Sequence, residues 1–170
     1  MQDQQTIIFL IRHGETDFAY VNDQSIDDNR VLTSNGKEQC RKNGEYLKDF
    51  SLSTIYSSPM KRTVETSEII KKHAEIDADV VVEQELHEIY DNASWQSIGT
   101  RIPELFLKFV GKHSGEQIAC VSHMDVIENT LRAIGATNEE ADFPCQIGQM
   151  YRLVFAGKTF VQVTKLDPSK

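Results

Sequence analysis

Cysteine is scarce in this chain of 170 residues. It occurs three times, at Cys40, Cys120 and Cys145, and no two of these residues have a Cys-x-x-Cys spacing. The sequence therefore supports neither a disulfide framework nor a thiolate zinc site. Buried free thiols in a reducing cytosol are the preferred interpretation.

Positive charge is also in short supply. The 18 lysines and arginines are outnumbered by 26 aspartates and glutamates, which gives a formal net charge of −8. This balance argues against nucleic acid or an anionic membrane surface as a general partner. It leaves room for a local basic pocket that binds an anionic substrate.

Long apolar runs, internal repeats and Pro/Gly-rich linkers are missing. The residues before the first apolar run carry no positive charge, and that run is too short for a signal peptide or a membrane-spanning helix. We therefore expect a single domain over residues 1–170, located in the cytoplasm, with no membrane partner.

What the sequence does have is an apolar stretch, Ile7–Ile11, that leads directly into Arg12, His13 and Gly14. Five consecutive aliphatic and aromatic residues predict a strand that is buried on both faces. An arginine and a histidine are costly to bury without partners, so both side chains are expected where the strand leaves the core. Gly14 permits a tight turn or the close approach of a ligand.

The rest of the chain alternates between helix and strand patterns. After a polar surface loop over residues 17–30, the predicted elements are a helix from Thr33 or Ser34 to about Asp49, a strand over Ser53–Ser58, a helix over Met60–His73, a strand over Asp79–Leu86, a helix over Trp95–Lys112 that Pro103 divides or kinks, a strand over Gln117–Ser122, a helix over Asp125–Ile134, and a hairpin of Met150–Phe155 and Thr159–Leu166. This order predicts an α/β fold, a three-layer αβα sandwich with a mainly parallel central sheet and a C-terminal β-hairpin.

Side chains with useful chemistry follow the carboxyl ends of four predicted strands. They are Arg12 and His13 after the first strand, Arg62 in the first turn of the helix behind the second, Glu88 after the third, and His123 after the fourth. Ligands of parallel α/β sheets bind at this edge. We therefore expect the five side chains to surround one site.

This set of residues suits the transfer of a phosphoryl group. The guanidinium groups of Arg12 and Arg62 match phosphate oxygens, and helix N-termini add backbone donors. A histidine can accept the phosphoryl group as nucleophile, and a carboxylic acid can protonate the leaving oxygen. Because the arginines and a second histidine supply positive charge, neither a metal nor a cofactor is expected.

Each of these residues also has a plain structural interpretation. His13 could be a satisfied histidine at a strand end, Arg12 could pair with a surface carboxylate, and His123 could cap the helix that follows. Their coincidence at one edge of the sheet favours function. The three other histidines follow no such pattern and are expected to be structural.

With these residues the sequence resembles the histidine phosphatase superfamily, also called phosphoglycerate-mutase-like. The resemblance extends over most of the chain. The stretches that carry it are, in order, Arg12–Thr16 (RHGET), Leu32–Gly36 (LTxxG), Ser57–Thr66 (SSPxxRxxxT), Leu86–Ile89 (LxEI) and Val121–Ile127 (VSHxDVI). One such match would be weak evidence, whereas five in the right order are strong.

The resemblance implies a role for each matched residue. His13 would be the nucleophile that becomes phosphohistidine, and Glu88 would be the proton donor. Arg12, Arg62 and His123 would form the phosphate pocket and bind the substrate.

Three further residues are substrate-binding candidates because of the resemblance. For Glu15 and Thr16 a supporting role and direct contact both remain open. Asn22 lies near the place where family members often carry a Trp-Asn pair. The sequence departs from the family at Met124, which replaces a usual glycine beside the second histidine.

The function predicted from these residues is a metal-independent phosphatase that acts on phosphomonoesters of small molecules or of proteins. A protein phosphohistidine phosphatase is the main alternative, because the chain has a similar length and its Asp27–Thr33 segment resembles the DxxRxLT approach of those enzymes. Their usual lack of a glutamate acid favours esters here. A phosphoglycerate-mutase-type phosphotransferase and a non-catalytic module that binds phosphorylated ligands are further alternatives.

Overall fold

The structure is a computed structural model that describes residues 4–18, 21–89 and 91–169. Its strands are β1 (Gln5–Arg12), β2 (Thr54–Ser57), β3 (Val81–Val82), β4 (Gln117–Ser122), β5 (Met150–Ala156) and β6 (Thr159–Leu166). Its α-helices are α1 (Gln24–Asp27), α2 (Ser34–Leu47), α3 (Lys61–His73), α4 (Asn92–Lys112), α5 (Met124–Ala133) and α6 (Asn138–Ala141). Short 3₁₀ turns cover Lys48–Phe50 and Gln84–Leu86.

The six strands form one sheet in the order β3-β2-β4-β1-β5-β6. The first four of these pair in parallel, and β5 and β6 continue the sheet as an antiparallel hairpin beside β1. The predicted fold class is thereby confirmed. Its consequence for function is that the carboxyl ends of β1, β2 and β4 open onto the same edge.

Helices cover both faces of the sheet. On one face α2 and α3 pack over Phe9 and Ile11, and on the other α4 and α5 pack over Ile8 and Leu10. These four residues of β1 are completely buried, as the apolar run predicts. A central strand with both faces covered gives the residues at its end a rigid support.

The third strand is much shorter than predicted. We expected a strand over Asp79–Leu86, but only Val81 and Val82 pair with β2, and both are exposed at the edge of the sheet. The chain then turns because the Glu83 side chain accepts a hydrogen bond from the backbone N–H of Glu85 and starts a 3₁₀ turn. Three adjacent valines do not distinguish a short edge strand from a long buried one.

The expectation that residues 17–30 form a surface loop was wrong in part. The segment contains the short helix α1, whose first turn is capped by the Asp23 side chain. Asp27 and Arg30 are buried and paired with each other, with 2.7 Å between Asp27 Oδ1 and Arg30 Nε. The polar composition of this segment therefore did not reveal that two of its charged residues form a buried ion pair.

Helix α4 runs as one helix through Pro103, rather than as two pieces. It begins at Asn92, before the predicted Trp95, because Asp91 and Ser94 cap each other's backbone N–H groups. The helix α6 was not predicted; Thr137 and Glu140 form a similar capping box there.

The three cysteines are buried and free, as predicted. No helix in the described ranges combines the length and apolarity that a membrane crossing needs.

Candidate active site

His13 lies at the carboxyl end of β1, and its backbone is held on both sides. Its N–H donates to the carbonyl of Ser122 at 3.2 Å, and its carbonyl accepts from the N–H of Gly148 at 3.2 Å. The ring Nδ1 lies 2.8 Å from the carbonyl oxygen of Gly14. Because a carbonyl only accepts, Nδ1 carries the proton and Nε2 keeps its lone pair.

The surroundings of His13 keep its ring neutral. Burial, followed by the nearby His123, Arg62 and Arg12, lowers the pKa of His13 well below its usual value. The residue is buried, with 4% of its surface exposed. A neutral imidazole with a free Nε2 is the form that can act as a nucleophile.

The turn after His13 depends on two glycines. A Cβ on Gly14 would lie 2.7 Å from the carbonyl oxygen of Gly36, and one on Gly36 would lie 2.1 Å from that of Glu15. The backbone after β1 therefore touches the first turn of α2. This contact explains why RHG and LTxxG occur together, since each supplies the glycine that the other requires.

Arg12 is the partly exposed arginine of the site. Its Nη1 donates to the carbonyl of Cys145 at 2.6 Å, which fixes the side chain against the segment before β5. Its buried Nε has no hydrogen-bond partner among the described residues. The guanidinium therefore retains donors for an anion.

Arg62 is completely buried in the first turn of α3. Its Nη1 donates to the carbonyl of Asp27 at 2.7 Å, and its Nη2 donates to the carboxylate of Asp27 at 3.0 Å. The same Nη2 lies 3.2 Å from Nδ1 of His123 and 3.5 Å from Oε2 of Glu88. Arg62 thus connects the loop after β1 to the other predicted site residues.

His123 is also completely buried, between the end of β4 and the start of α5. Its Nε2 lies 2.8 Å from Ser58 Oγ, and its Nδ1 lies 3.1 Å from Oε2 of Glu88. Burial lowers the pKa of His123. Its ring centroid is 5.5 Å from that of His13, so the two imidazoles are neighbours.

Glu88 follows the 3₁₀ turn after β3, and its side chain is 12% exposed. Burial opposes its ionisation, but His123, the backbone N–H of Ile89 and Arg62 outweigh this effect and lower the pKa of Glu88 to about 2. Its carboxylate is therefore ionised at neutral pH. It contacts Arg62 and His123, the two side chains that were predicted to bind phosphate together with Arg12.

A cavity of about 620 Å³ opens above these residues. The described residues that line it are Arg12, His13, Glu15, Thr16, Phe18, Arg30, Glu88, Ile89, Met124, Asp125 and Ile147. Five of the eight predicted site residues therefore reach the cavity. Arg62 and His123 form a buried layer in contact with Glu88, and Asn22 is exposed and outside the lining.

Glu15 and Thr16 both line the cavity, but their polar groups are already engaged. The Glu15 carboxylate accepts from Thr33 Oγ1 at 2.6 Å and from Asn35 Nδ2 at 3.0 Å, which lowers its pKa. Thr16 Oγ1 donates to the carbonyl of Phe18 and accepts from Arg30 Nη1 at 3.0 Å. These bonds favour a supporting role for both residues.

Several residues of the site were missed by the sequence reasoning. Asp27 and Arg30 lie in a polar run that gave no sign of burial, although the DxxRxLT pattern marks both. Three apolar residues of the lining, Phe18, Ile89 and Ile147, follow or precede predicted elements and carry no chemical signal. Asp125 stands in the VSHxDVI stretch, two residues after His123.

The histidines expected to be structural do not line this cavity. The buried His113, for example, contacts the Tyr56 hydroxyl through Nε2 and Glu116 through Nδ1. In the part of the chain that the structure describes, no group of three or more His, Cys, Asp or Glu residues is arranged to hold a metal ion.

Comparison with solved structures shows the same fold in known phosphatases. The protein histidine phosphatase SixA, complexed with tungstate, superposes with a TM-score of 0.77 at 17% identity over 95% of this chain and 97% of SixA. A mutant phosphoserine phosphatase from Entamoeba histolytica, in complex with phosphoserine, gives a TM-score of 0.76 at 20% identity over 97% of this chain and 98% of the other.

Sequence comparison places the chain in a family. An uncharacterized phosphatase, PhoE of Bacillus subtilis (strain 168), is 41% identical over 68 residues, which are 40% of this chain and about a third (35%) of PhoE. The model of the histidine phosphatase superfamily (branch 1) matches residues 8–95, more than half of the chain. The match contains the RHGET turn, the start of α2, Arg62 and Glu88, and the chain belongs to the histidine phosphatase superfamily.

Proposed function

We propose that this protein is a metal-independent phosphatase that hydrolyses phosphomonoesters through a phosphohistidine intermediate on His13. The observation that carries the proposal is the contact of His13 Nδ1 with the Gly14 carbonyl, at the floor of a cavity that Arg12 also lines. It leaves a neutral imidazole with its free Nε2 beside a cation that can hold a phosphate. Substrates are phosphorylated small molecules or phosphoproteins.

In the first step the lone pair of His13 Nε2 attacks phosphorus. The N–P bond forms while the bond from phosphorus to the ester oxygen breaks, and the electron pair of that bond stays on the leaving oxygen. Glu88, in its protonated form, gives this oxygen its proton, so an alcohol leaves. Arg12 binds the phosphoryl oxygens and stabilises their negative charge, and Arg62 and His123 contribute from the buried layer behind Glu88.

Glu88 can act as an acid only when substrate is present. In the free protein its pKa is about 2, and its carboxylate contacts His123 and Arg62. A phosphate dianion that binds at Arg12 and His13 adds a negative charge beside Glu88 and opposes the field of Arg62 and His123 behind it. Both effects raise the pKa of the carboxyl group, so substrate binding itself drives the uptake of a proton.

In the second step water attacks the phosphoryl group. The carboxylate of Glu88, left after the first step, takes a proton from the water as its oxygen bonds to phosphorus. The N–P bond breaks, and its electron pair returns to Nε2 of His13. Inorganic phosphate leaves, Glu88 releases its proton to solvent, and the free protein is restored.

A protein phosphohistidine phosphatase is the second candidate. The ionised state of Glu88 favours it, because a phosphorylated imidazole needs less help from an acid when it leaves than an alkoxide does. SixA, whose chain this fold covers almost completely, is named a protein histidine phosphatase. Rates on an alkyl phosphate and on a phosphohistidine peptide distinguish the two candidates.

The decisive experiment compares the wild type with His13→Ala on p-nitrophenyl phosphate, alkyl phosphates and a phosphohistidine peptide, with and without EDTA. We expect activity that survives EDTA and is lost in His13→Ala. The matched control is His73→Ala, which removes a histidine from the last turn of α3, outside the cavity.

The covalent intermediate is tested separately. Rapid acid-free quenching with radiolabelled substrate should trap phosphate on the wild type in a bond that is labile to acid and stable to base. A wild type that is no faster than His13→Ala on all three substrates would end the proposal.

A further inference from the structure

Asp125 lines the cavity, and its carboxylate has no hydrogen-bond partner among the residues that the structure describes. Asp125 is the second residue of α5, is half-buried and belongs to the cavity lining. Its backbone carbonyl accepts from Asn129, but within the described ranges no donor binds its carboxylate. The neighbouring Glu128 differs, since its side chain accepts from the N–H of Cys145 and pairs with Arg132.

The position is electrostatically unfavourable for an unpaired carboxylate. Burial, and then the negative charges of Glu88 and Glu128, raise the pKa of Asp125, while Arg12 and His123 act in the opposite direction and are outweighed. The N-terminal turn of α5 supplies some compensation, but that turn would stabilise a carboxylate directed at solvent equally well. A carboxylate that lines a cleft and whose ionised form is destabilised by its surroundings is a candidate for ligand recognition.

The charge of Asp125 restricts what can bind beside it. A phosphate group is repelled by a carboxylate, so the phosphoryl group has to lie toward Arg12 and His13. The part of the substrate that reaches Asp125 must then be neutral or cationic. A protonated amine satisfies the vacant acceptor sites of the carboxylate and neutralises its charge.

The remaining lining indicates what connects the two ends of the ligand. Phe18, Ile89, Met124 and Ile147 contribute apolar surface to the same cavity. A carbon skeleton can lie against these side chains while its phosphate and its amine reach opposite charges. The volume of about 620 Å³ is within the usual range for a small-molecule site.

We propose that Asp125 is a specificity-determining residue, which selects phosphomonoesters that carry a protonated amine close to the phosphate and disfavours those that carry a carboxylate there. The proposal rests on the proposed phosphatase activity, and it adds the class of substrate. Asp125 touches the amine and takes no part in the transfer of the phosphoryl group.

The test uses three substrates of nearly equal size: aminoethyl phosphate, propyl phosphate and phosphoglycolate, whose ends are cationic, neutral and anionic. For the wild type we expect kcat/KM on aminoethyl phosphate to exceed that on propyl phosphate by about tenfold or more, as one good charge-assisted contact provides. Phosphoglycolate should be the poorest of the three.

Two variants test the residue itself. Asp125→Asn should bring the ratio between aminoethyl and propyl phosphate close to unity, and Asp125→Lys should make phosphoglycolate the preferred substrate. The control is Glu139→Gln, which changes the net charge by the same amount as Asp125→Asn on the exposed surface of α6 and should leave the ratio unchanged. Thermal unfolding of each variant shows whether it is folded.

The outcomes separate the two proposals. A wild type without preference, or an Asp125→Asn variant that is slower on all three substrates by the same factor, would overturn the role of Asp125 and leave the phosphatase intact. If no substrate is hydrolysed, the proposed function fails. The preference is then read from the Kd values of the three compounds for wild type and Asp125→Asn, and equal Kd values overturn it.

Discussion

The carboxylate of Asp27 binds the guanidinium of Arg62 entirely inside the protein, with 3.0 Å between Oδ2 and Nη2 and no exposed surface on either side chain. Asp27 also pairs with Arg30, so one buried carboxylate serves two arginines. Arg30 lines the cavity, and Arg62 contacts Glu88 and His123. These ion pairs connect the loop after β1 to Arg62 and, through Arg62, to Glu88 and His123.

Replacing Asp27 by Asn should damage both stability and phosphate binding. The variant keeps the shape of the side chain but removes the negative charge that Arg62 and Arg30 share, and Arg62 keeps only the longer contact with Glu88 at 3.5 Å. Removing one partner of a buried ion pair typically costs about 3–5 kcal/mol of unfolding free energy. We also expect weaker binding of tungstate and a higher KM, because Arg62 loses the contact that orients it.

The control for this variant is Asp77→Asn, at an exposed position outside the site. Chemical denaturation measures stability, and calorimetry measures the binding of tungstate. An Asp27→Asn variant that binds tungstate as tightly as the wild type would show that Arg62 is placed by the rest of the fold alone.

Replacing Glu88 by Gln should slow catalysis and tighten the binding of free phosphate. The acid is needed most when the leaving group is a poor one, so alkyl phosphates should slow by about 10²–10⁴-fold and p-nitrophenyl phosphate much less. Phosphate should bind more tightly, because a neutral amide at position 88 neither repels the anion nor neutralises the positive charge of Arg62. Equal losses on both substrates would remove Glu88 from the role of acid.

Stability should fall when the solution is made acidic, starting near the ordinary pKa of histidine. The pKa of His13 is well below its usual value in the folded protein. Between the two values the unfolded chain binds more protons, so stability rises with pH across this window and is lost as pH falls. Glu88 adds a second loss of stability at lower pH. Its pKa is about 2 in the folded protein, so this loss begins once the pH falls below the pKa of the carboxyl group in the unfolded chain.

The contribution of His13 is measured from the free energy of unfolding in denaturant at about pH 7 and about pH 5. The wild type should be less stable at the lower pH, by up to about 1.4 kcal/mol per pH unit for each such histidine. His13→Ala should show a smaller difference, while the control His73→Ala should behave as the wild type. If His13→Ala keeps the full difference, the ring of His13 titrates normally.

The sequence was informative where one local signal sufficed. The apolar run before Arg12 predicted a buried central strand, and the strand–helix order predicted the edge where the site lies. Burial of polar residues was different. Asp27 looks like any other acidic residue of its loop, because what buries it is Arg62, which lies in another element.

The depth of the site was equally unpredictable. Arg62 and His123 were expected to form the wall of the pocket, but the Glu88 carboxylate lies against both and separates them from the open cavity. Only the packing of β3, α3 and α5 determines this layering. The spacing of the residues in the sequence predicted that they share one edge of the sheet. It did not predict which of them line the cavity and which lie buried behind that lining.

The last prediction concerns the contact between the turn after β1 and α2. In Gly36→Ala the new Cβ would lie 2.1 Å from the backbone oxygen of Glu15, and a backbone atom cannot move aside cheaply. We expect a loss of about 1–3 kcal/mol of unfolding free energy. Since the turn also holds His13, kcat/KM should fall more than stability alone explains.

Gly99→Ala is the matched control for this substitution. Gly99 is exposed in α4, and a Cβ there would meet nothing within 4 Å. Alanine is the better helix former by about 0.5–1 kcal/mol, so this variant should be slightly more stable than the wild type and equally active. The same chemical change thus has opposite signs at the two sites. A Gly36→Ala variant as stable as Gly99→Ala would mean that the turn carrying His13 is not held by α2.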